Sequence, residues 1–410
     1  MNYGDRIRDH KLVNLASQLK GPTLVRVDIN LPSENGAIVP DAMRMKVYAN
    51  IAELYASYVP LVIFGHQGRK GDDDFFSMRH HYKLFLKLTE NVDIDFIEYQ
   101  DVFSADTRKR IANLQRGDIL LLDNVRYFDH ETKFNAQTSP FIQSFKGVIQ
   151  TCVNDAIPVW HRDNSSLMCM PHIAPTFIGV RSSYELGELE EVKTKHVSKA
   201  LISGGSKLQK VSDLKKIFDA GVDGFTGGLV GQLVTRANGY DLGETNNTYL
   251  AKKFSPEEFE DAKKVAGMNV KHPIDFTIAQ NGEKVRVDLK DMPKVNGQIV
   301  DIGDATVEAY ARDLQAHEIR IRAGPLGIYE KGYDNGIELT KRIVGDGLYF
   351  LGGDTSQELV KGQLVDHIQS AGGKILISGG SALHYLAGGN FPSVDEILKL
   401  SQVPTVISGA

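Results

Sequence analysis

Short apolar, β-branched runs alternate along this chain with longer stretches in which apolar positions recur every three or four residues. The short runs predict strands at Thr23–Ile29, Pro60–Phe64, Asp93–Glu98, Asp118–Leu122 and Gly147–Val153. A second series is predicted at Ala200–Ser203, Gly224–Thr226, Gln298–Ile302, Ile319–Ala323, Leu348–Leu351 and Lys374–Ser378. Continuously apolar strands with helical patterns between them imply parallel sheets covered on both faces. Lys207–Ala220 illustrates the helical period: Leu208, Val211, Leu214, Ile217 and Phe218 share one face and are assigned to core.

The ends of these runs differ between the two halves. In the second half, five runs stop in glycine-rich turns: ISGGSK, FTGG, RAGPLG, FLGGD and ISGGSA. In doubly wound sheets the ligand lies beyond the carboxyl ends of the strands. Glycine there lets backbone approach phosphate closely, and the helix that follows offers unpaired N–H groups. Residues ~190–395 therefore read as a nucleotide-binding domain. In the first half the strand ends carry polar and cationic groups instead: Asp28 and Asn30 in RVDIN, His66 and Arg69 in GHQGR, Arg126 in DNVRY, and Arg162 in NDAIPVWHR. Guanidinium groups converging from successive strand ends suit a small phosphorylated or carboxylated substrate.

Composition narrows the classes. At 410 residues the chain is long enough for two or three domains of about 150 residues each. A net charge of −5 argues against nucleic acid as the main partner. No run approaches the roughly 18 apolar residues of a membrane span, and the polar start MNYGDRIRDHK lacks a secretory core. Cys152 and Cys169 have neither CxxC nor zinc spacing. The expectation is a cytoplasmic protein without a membrane or nucleic-acid partner, read as a monomer with a dimer as the alternative. Neither G-x-x-x-x-G-K-[ST] nor a helix-opening G-x-G-x-x-G is present, so neither the P-loop nor the dinucleotide fingerprint applies.

Taken in order, RVDIN, Arg44, GHQGR, DNVRY, the HR pair His161–Arg162, GGSK, GGL, DIG, GPLGIYE, GGDT and GGSALHYLAGG resemble the phosphoglycerate kinase family over residues ~24–390. The length and the GGLVG form resemble its archaeal members. The resemblance implies an α/β fold of two doubly wound parallel-sheet domains of similar size joined by a helical hinge. The implied division is 1–180 for 3-phosphoglycerate, 181–198 as connector helix, 199–395 for nucleotide, and 396–410 returning to the first domain. The implied activity is reversible phosphoryl transfer between ATP/ADP and 3-phosphoglycerate/1,3-bisphosphoglycerate, in glycolysis and gluconeogenesis, with magnesium, on hinge-bending closure.

By the same resemblance Asp28, Asn30, Arg44, His66, Arg69, Arg126 and Arg162 would hold 3-phosphoglycerate. Gly205, Lys207, Gly228, Glu330, Gly352, Gly353, Asp354 and Thr355 would hold the nucleotide, with Glu330 on the ribose and Asp354 near the metal. Arg44, Lys207, Gly379 and Gly380 would stabilise the transition state. Such chemistry is mostly alignment and charge stabilisation, and the acceptor carboxylate is already ionised. The chain departs from the family pattern at Val211, where many members carry a second lysine, and at Leu351, Ser378, Asp123, Trp160 and Asn164. Two other readings remain: a related kinase acting on another phosphorylated carboxylate, and a non-catalytic nucleotide sensor that kept the fold.

Overall fold

The computed structural model describes residues 2–400 apart from 35–36, 40–41, 206–210 and 281, together with all of their side chains except those of Glu34 and Asp354. The chain divides into two compact units, Met1–Glu191 with Gly389–Ala410, and Val192–Gly388.

The first unit contains β1 (Thr23–Val27), a two-residue hairpin β2 (Ser33–Glu34) and β3 (Ala37–Ile38), β4 (Leu61–Phe64), β5 (Asp93–Ile97), β6 (Asp118–Leu122), β7 (Thr151–Asp155) and β8 (Thr176–Ile178). Six of these form one sheet in the order β5-β6-β4-β1-β7-β8, every pair parallel. β1, β4 and β7 are buried at every position, as strands covered on both faces must be. The helix Met43–Ala56 covers part of one face because Met45, Tyr48, Ala49, Ala52, Tyr55 and Ala56 recur at helical spacing, and all are buried. β1 connects to β4 on one side, and β7 is added later on the other. The sheet therefore reverses its order at β1, which is where a doubly wound fold opens a crevice.

Polar groups pin that end of the sheet. Asp155, the last residue of β7, accepts from the Ser182 amide at 2.7 Å and the Tyr55 hydroxyl at 2.9 Å. The Tyr48 hydroxyl donates to the Asp155 carbonyl at 2.6 Å. One buried carboxylate thus caps the helix Val180–Thr194 and ties it to the helix that carries Arg44. The C-terminal helix Pro392–Leu400 also packs in this unit, against the helices Ser165–Met168 and Met170–Ile173. Phe391, just ahead of it, lies 5.4 Å from the Trp160 ring and 5.2 Å from Tyr3.

The second unit holds β9 (Lys199–Ser203), β10 (Asp223–Thr226), β11 (Val270–Lys271), β12 (Asp275–Gln280), β13 (Glu283–Asp288), β14 (Gln298–Ile302), β15 (Ile319–Ala323), β16 (Leu348–Leu351) and β17 (Lys374–Leu376). Its parallel sheet runs β11-β10-β9-β15-β16-β17. In the helix Val211–Asp219, Val211, Leu214, Ile217 and Phe218 are buried as their spacing predicts; Leu208 lies outside the described residues.

The strand expectations at Gln298–Ile302 and Gly147–Val153 need correcting. Gln298–Ile302 is a strand but does not join the parallel sheet; it pairs antiparallel with β12 in a separate sheet of order β13-β12-β14. An apolar run fixes a buried strand but not its partner; the one local signal nearby, Asn281–Gly282 between two strand-like runs, is a hairpin turn sequence that marks the pairing of β12 with β13 and not that of β14. Gly282 has φ 84°, as such a turn requires. The strand predicted at Gly147–Val153 instead spans Thr151–Asp155. The return of the chain to the first unit begins at Gly389, seven residues ahead of the expected boundary.

Candidate active site

At the reversal point of the first sheet, Asp28 follows β1 directly and is buried to 2% exposure. Arg44, one residue into its helix, reaches across: its Nη1 lies 3.2 Å from Asp28 Oδ2 and donates to the Asn30 carbonyl at 2.9 Å. The Asn30 side chain accepts from the Gly68 amide at 2.8 Å. Two buried amides lace the neighbouring loops together. Gln67 pairs with both backbone groups of Leu31, at 2.9 and 3.0 Å, and Asn124 donates to the Gln67 carbonyl at 2.7 Å. Arg126 donates to the Gly68 carbonyl.

The expected cations therefore lie within reach of one another's charge. Arg126 is pushed down to about 10, first by burial and then by Arg162 and Arg26, with Arg69 adding to the repulsion. Arg162 is lowered by burial, and Asp28, Arg69 and Glu131 all act on it. Arg69 itself is exposed. A cluster of like charges held in a partly dry site favours an anion beside it.

His66 sits in the middle. Arg26 Nη2 lies 3.2 Å from His66 Nδ1, and since guanidinium can only donate, Nδ1 accepts and the ring proton is on Nε2. Asp28 Oδ1 lies 3.6 Å from the same nitrogen. Burial and four surrounding arginines hold His66 well below its usual value, so this contact is dipolar and not an ion pair.

Arg26 was not singled out in the sequence, although it belongs to the cluster. It is fully enclosed on β1, with its guanidinium 5.8 Å from the Phe64 ring centroid. The available signal was a charge in the middle of an apolar strand, Thr23–Val27. Gln67 and Asn124 were also missed, and their signal was weaker: polar side chains that turn out to be fully buried.

In the second unit the glycine turns come together at the carboxyl ends of β9, β10, β15, β16 and β17. Gly204 and Gly324 are in close approach: a Cβ on Gly204 would lie 2.2 Å from the Pro325 carbonyl oxygen. The amides of Gly205 and Gly228 are already used inside this cluster, donating to Pro325 O at 2.6 Å and Leu326 O at 2.8 Å. Gly352 donates to Leu376 O at 2.5 Å. Gly353, with φ 75°, turns the chain into the helix Asp354–Lys361, and Gly379, with φ 52°, turns it into Gly380–Leu386. The Thr355 side chain is buried, its hydroxyl accepting from the Gly324 amide at 2.8 Å, so it braces the neighbouring glycine loop. Glu330 is exposed on the short turn Tyr329–Lys331. Lys207 lies outside the described residues.

Beneath these loops Arg322 and Glu358 form a buried pair, Nη2 lying 3.1 Å from each carboxylate oxygen, and Arg322 also donates to the Gly324 carbonyl. Asp301 nearby is pushed up to about 7 by burial.

The family profile for phosphoglycerate kinase matches residues 17–389. The phosphoglycerate kinase of Pyrococcus furiosus is 30% identical over 97% of each chain, and that of Sulfurisphaera tokodaii is 31% identical over 93% of each. The crystal structure of phosphoglycerate kinase from Pyrococcus horikoshii superposes with a TM-score of 0.80 at 27% identity, covering 93% of this chain and 96% of that one. A match of this extent, on a fold whose two sheets end in a cationic cluster and a cluster of glycine loops, places the chain in the phosphoglycerate kinase family.

Proposed function

We propose that this chain catalyses reversible phosphoryl transfer between ATP/ADP and 3-phosphoglycerate/1,3-bisphosphoglycerate, the first unit holding the phosphorylated acid and the second the nucleotide. The observation that carries the reading is the convergence of Arg44, His66, Arg126 and Arg162 around Asp28 where the first sheet reverses order. Asp28 and Asn30 serve to fix Arg44, so that its guanidinium meets the substrate in a set geometry. Neutral His66 offers an Nε2–H donor without adding a titrating charge. Arg69, exposed at the rim, draws the anion in.

On the nucleotide side, the amides that open the helices at Asp354 and Gly380 are the phosphate donors, since the first N–H groups of a helix lack intrahelical partners. Gly205, Gly228 and Gly352 form the floor that lets those helices start where they do, and Glu330 reaches the ribose. Lys207 and Arg44 stabilise the charge on the group in transfer, together with Gly379 and Gly380. Magnesium is the cation expected with the nucleotide, and Asp354 is the residue that would hold it. One carboxylate beside phosphates suits an ion that binds one or two carboxylates plus phosphate oxygens. When bound, it neutralises phosphate charge.

The test is a coupled assay with ATP and 3-phosphoglycerate. Turnover is expected with magnesium, with loss on adding EDTA and recovery on restoring the metal. Turnover only with some other phosphorylated carboxylate would replace 3-phosphoglycerate as the substrate, and nucleotide binding without any turnover would leave the sensor reading standing.

A further inference from the structure

The cationic cluster has a second layer behind it. Glu131, on the turn Asp129–Thr132, is buried to 2% exposure. Both of its carboxylate oxygens are held by one residue: the Ser166 hydroxyl donates to Oε1 at 2.7 Å and the Ser166 amide to Oε2 at 2.9 Å. The same hydroxyl accepts from Arg26 Nε at 3.1 Å, and Arg26 in turn meets His66. The hydrogen bonds run in one direction, from guanidinium to hydroxyl to carboxylate. Both oxygens accept, as a carboxylate's do. A proton on Oε2 leaves Oε1 still accepting from Ser166, so the line to Arg26 survives a change in the charge of Glu131.

We propose that Glu131, acting through Ser166, is a positioning residue for the acid-binding site, fixing Arg26 beneath His66 and setting the net charge that the substrate meets. The inference rests on the function proposed above. The groups facing Glu131 are Arg26 on β1, Arg126 on the turn after β6, Arg162 after β7, and Cys169 beyond the helix Ser165–Met168. His130 adjoins it on its own turn. Burial pushes Glu131 up to about 7 even with Arg26 and Arg126 opposing, while Cys169 is raised by burial and stays neutral. Glu131 therefore changes charge close to neutrality. As pH rises through 7 it loses its proton, the cluster loses one unit of positive charge, and a phosphorylated acid binds less tightly.

The experiment compares wild type with Glu131→Gln in steady-state kinetics between pH 6.5 and 8.5. The substrate's own phosphate ionisation is common to both, so it cancels in the ratio of their KM values for 3-phosphoglycerate. The expected result is a wild-type to variant ratio that rises about tenfold with pH across 7, as one charge at short range through a partly buried medium gives. The KM for ATP should not follow. A second variant, Ser166→Ala, keeps the Glu131 charge and removes the hydroxyl. It should raise the KM for 3-phosphoglycerate up to about tenfold, the worth of one hydrogen bond, again without moving the KM for ATP. Parallel pH profiles for wild type and Glu131→Gln, or equal shifts in both KM values for Ser166→Ala, overturn the proposal while leaving the proposed activity intact. Absence of any 3-phosphoglycerate turnover in the wild type overturns both.

Discussion

Arg44 has 14% of its side chain exposed, and Asp28 and the Asn30 carbonyl are among the groups that hold it. A side chain held by polar partners at the edge of the sheet contributes little to the core. Arg44→Ala is expected to lower kcat for phosphoryl transfer roughly a hundred- to a thousandfold, in line with loss of one transition-state donor. Its unfolding midpoint should stay close to wild type; a rate within about threefold of wild type would remove Arg44 from the transition state. The residues of this cluster were legible in the sequence to different degrees, for a geometric reason. His66 and Arg126 stand just past strand ends, so their convergence follows from the parallel sheet alone. Arg26, Ser166 and Glu131 meet across sequence separations of 140 and 35 residues, and nothing local in the chain marks the contact. Thr355 was legible as part of a glycine-rich turn, yet its hydroxyl faces the Gly324 amide, an orientation that no spacing rule gives.

Among the elements, β15 and the helix Asp354–Lys361 are joined by the Arg322–Glu358 pair, whose side chains are 0% and 2% exposed. The pair lies under GPLG and GGDT, so it sets the spacing of two glycine loops. Removing one partner leaves a buried charge without compensation, whereas replacing both with apolar groups removes the desolvation cost as well. Arg322→Met is therefore expected to destabilise the second unit by about 3–5 kcal/mol, and the double variant Arg322→Met/Glu358→Leu to recover most of that loss. Denaturant unfolding followed by a nucleotide-sensitive probe distinguishes the two. If the double variant is no better than the single one, the pair acts through specific hydrogen bonds and not through charge balance. The parallel elements were readable because burial on both faces writes continuous apolar runs. The sheet of β12, β13 and β14 was not, because β12 is only partly buried and β13 mostly exposed, while β14, buried from Ile299 to Ile302, reads like any covered strand.

At the scale of the whole chain, the first unit is assembled from both ends of the sequence and the second from one continuous stretch, Val192–Gly388. The closing contact of the first unit is Phe391, fully buried between Trp160 and Tyr3. Around it Asp395 accepts from the Tyr3 hydroxyl at 2.8 Å, and Glu396 lies 2.9 Å from His172. Phe391→Ala is expected to cost about 3–5 kcal/mol. The loss should fall on the transition stabilised by 3-phosphoglycerate, with a red shift of Trp160 emission, and spare the transition stabilised by nucleotide; calorimetry with each ligand in turn separates them. Equal losses in both transitions would mean that the unit boundaries do not bound cooperative unfolding. This connectivity also bears on synthesis. On a ribosome the second unit has its full complement of residues once Gly388 has emerged. The first unit, although its larger part is made earlier, must wait with the Trp160 surface uncovered until the segment that begins at Gly389 has followed, so a chaperone that shields that patch would act on the nascent chain after the second unit has been made.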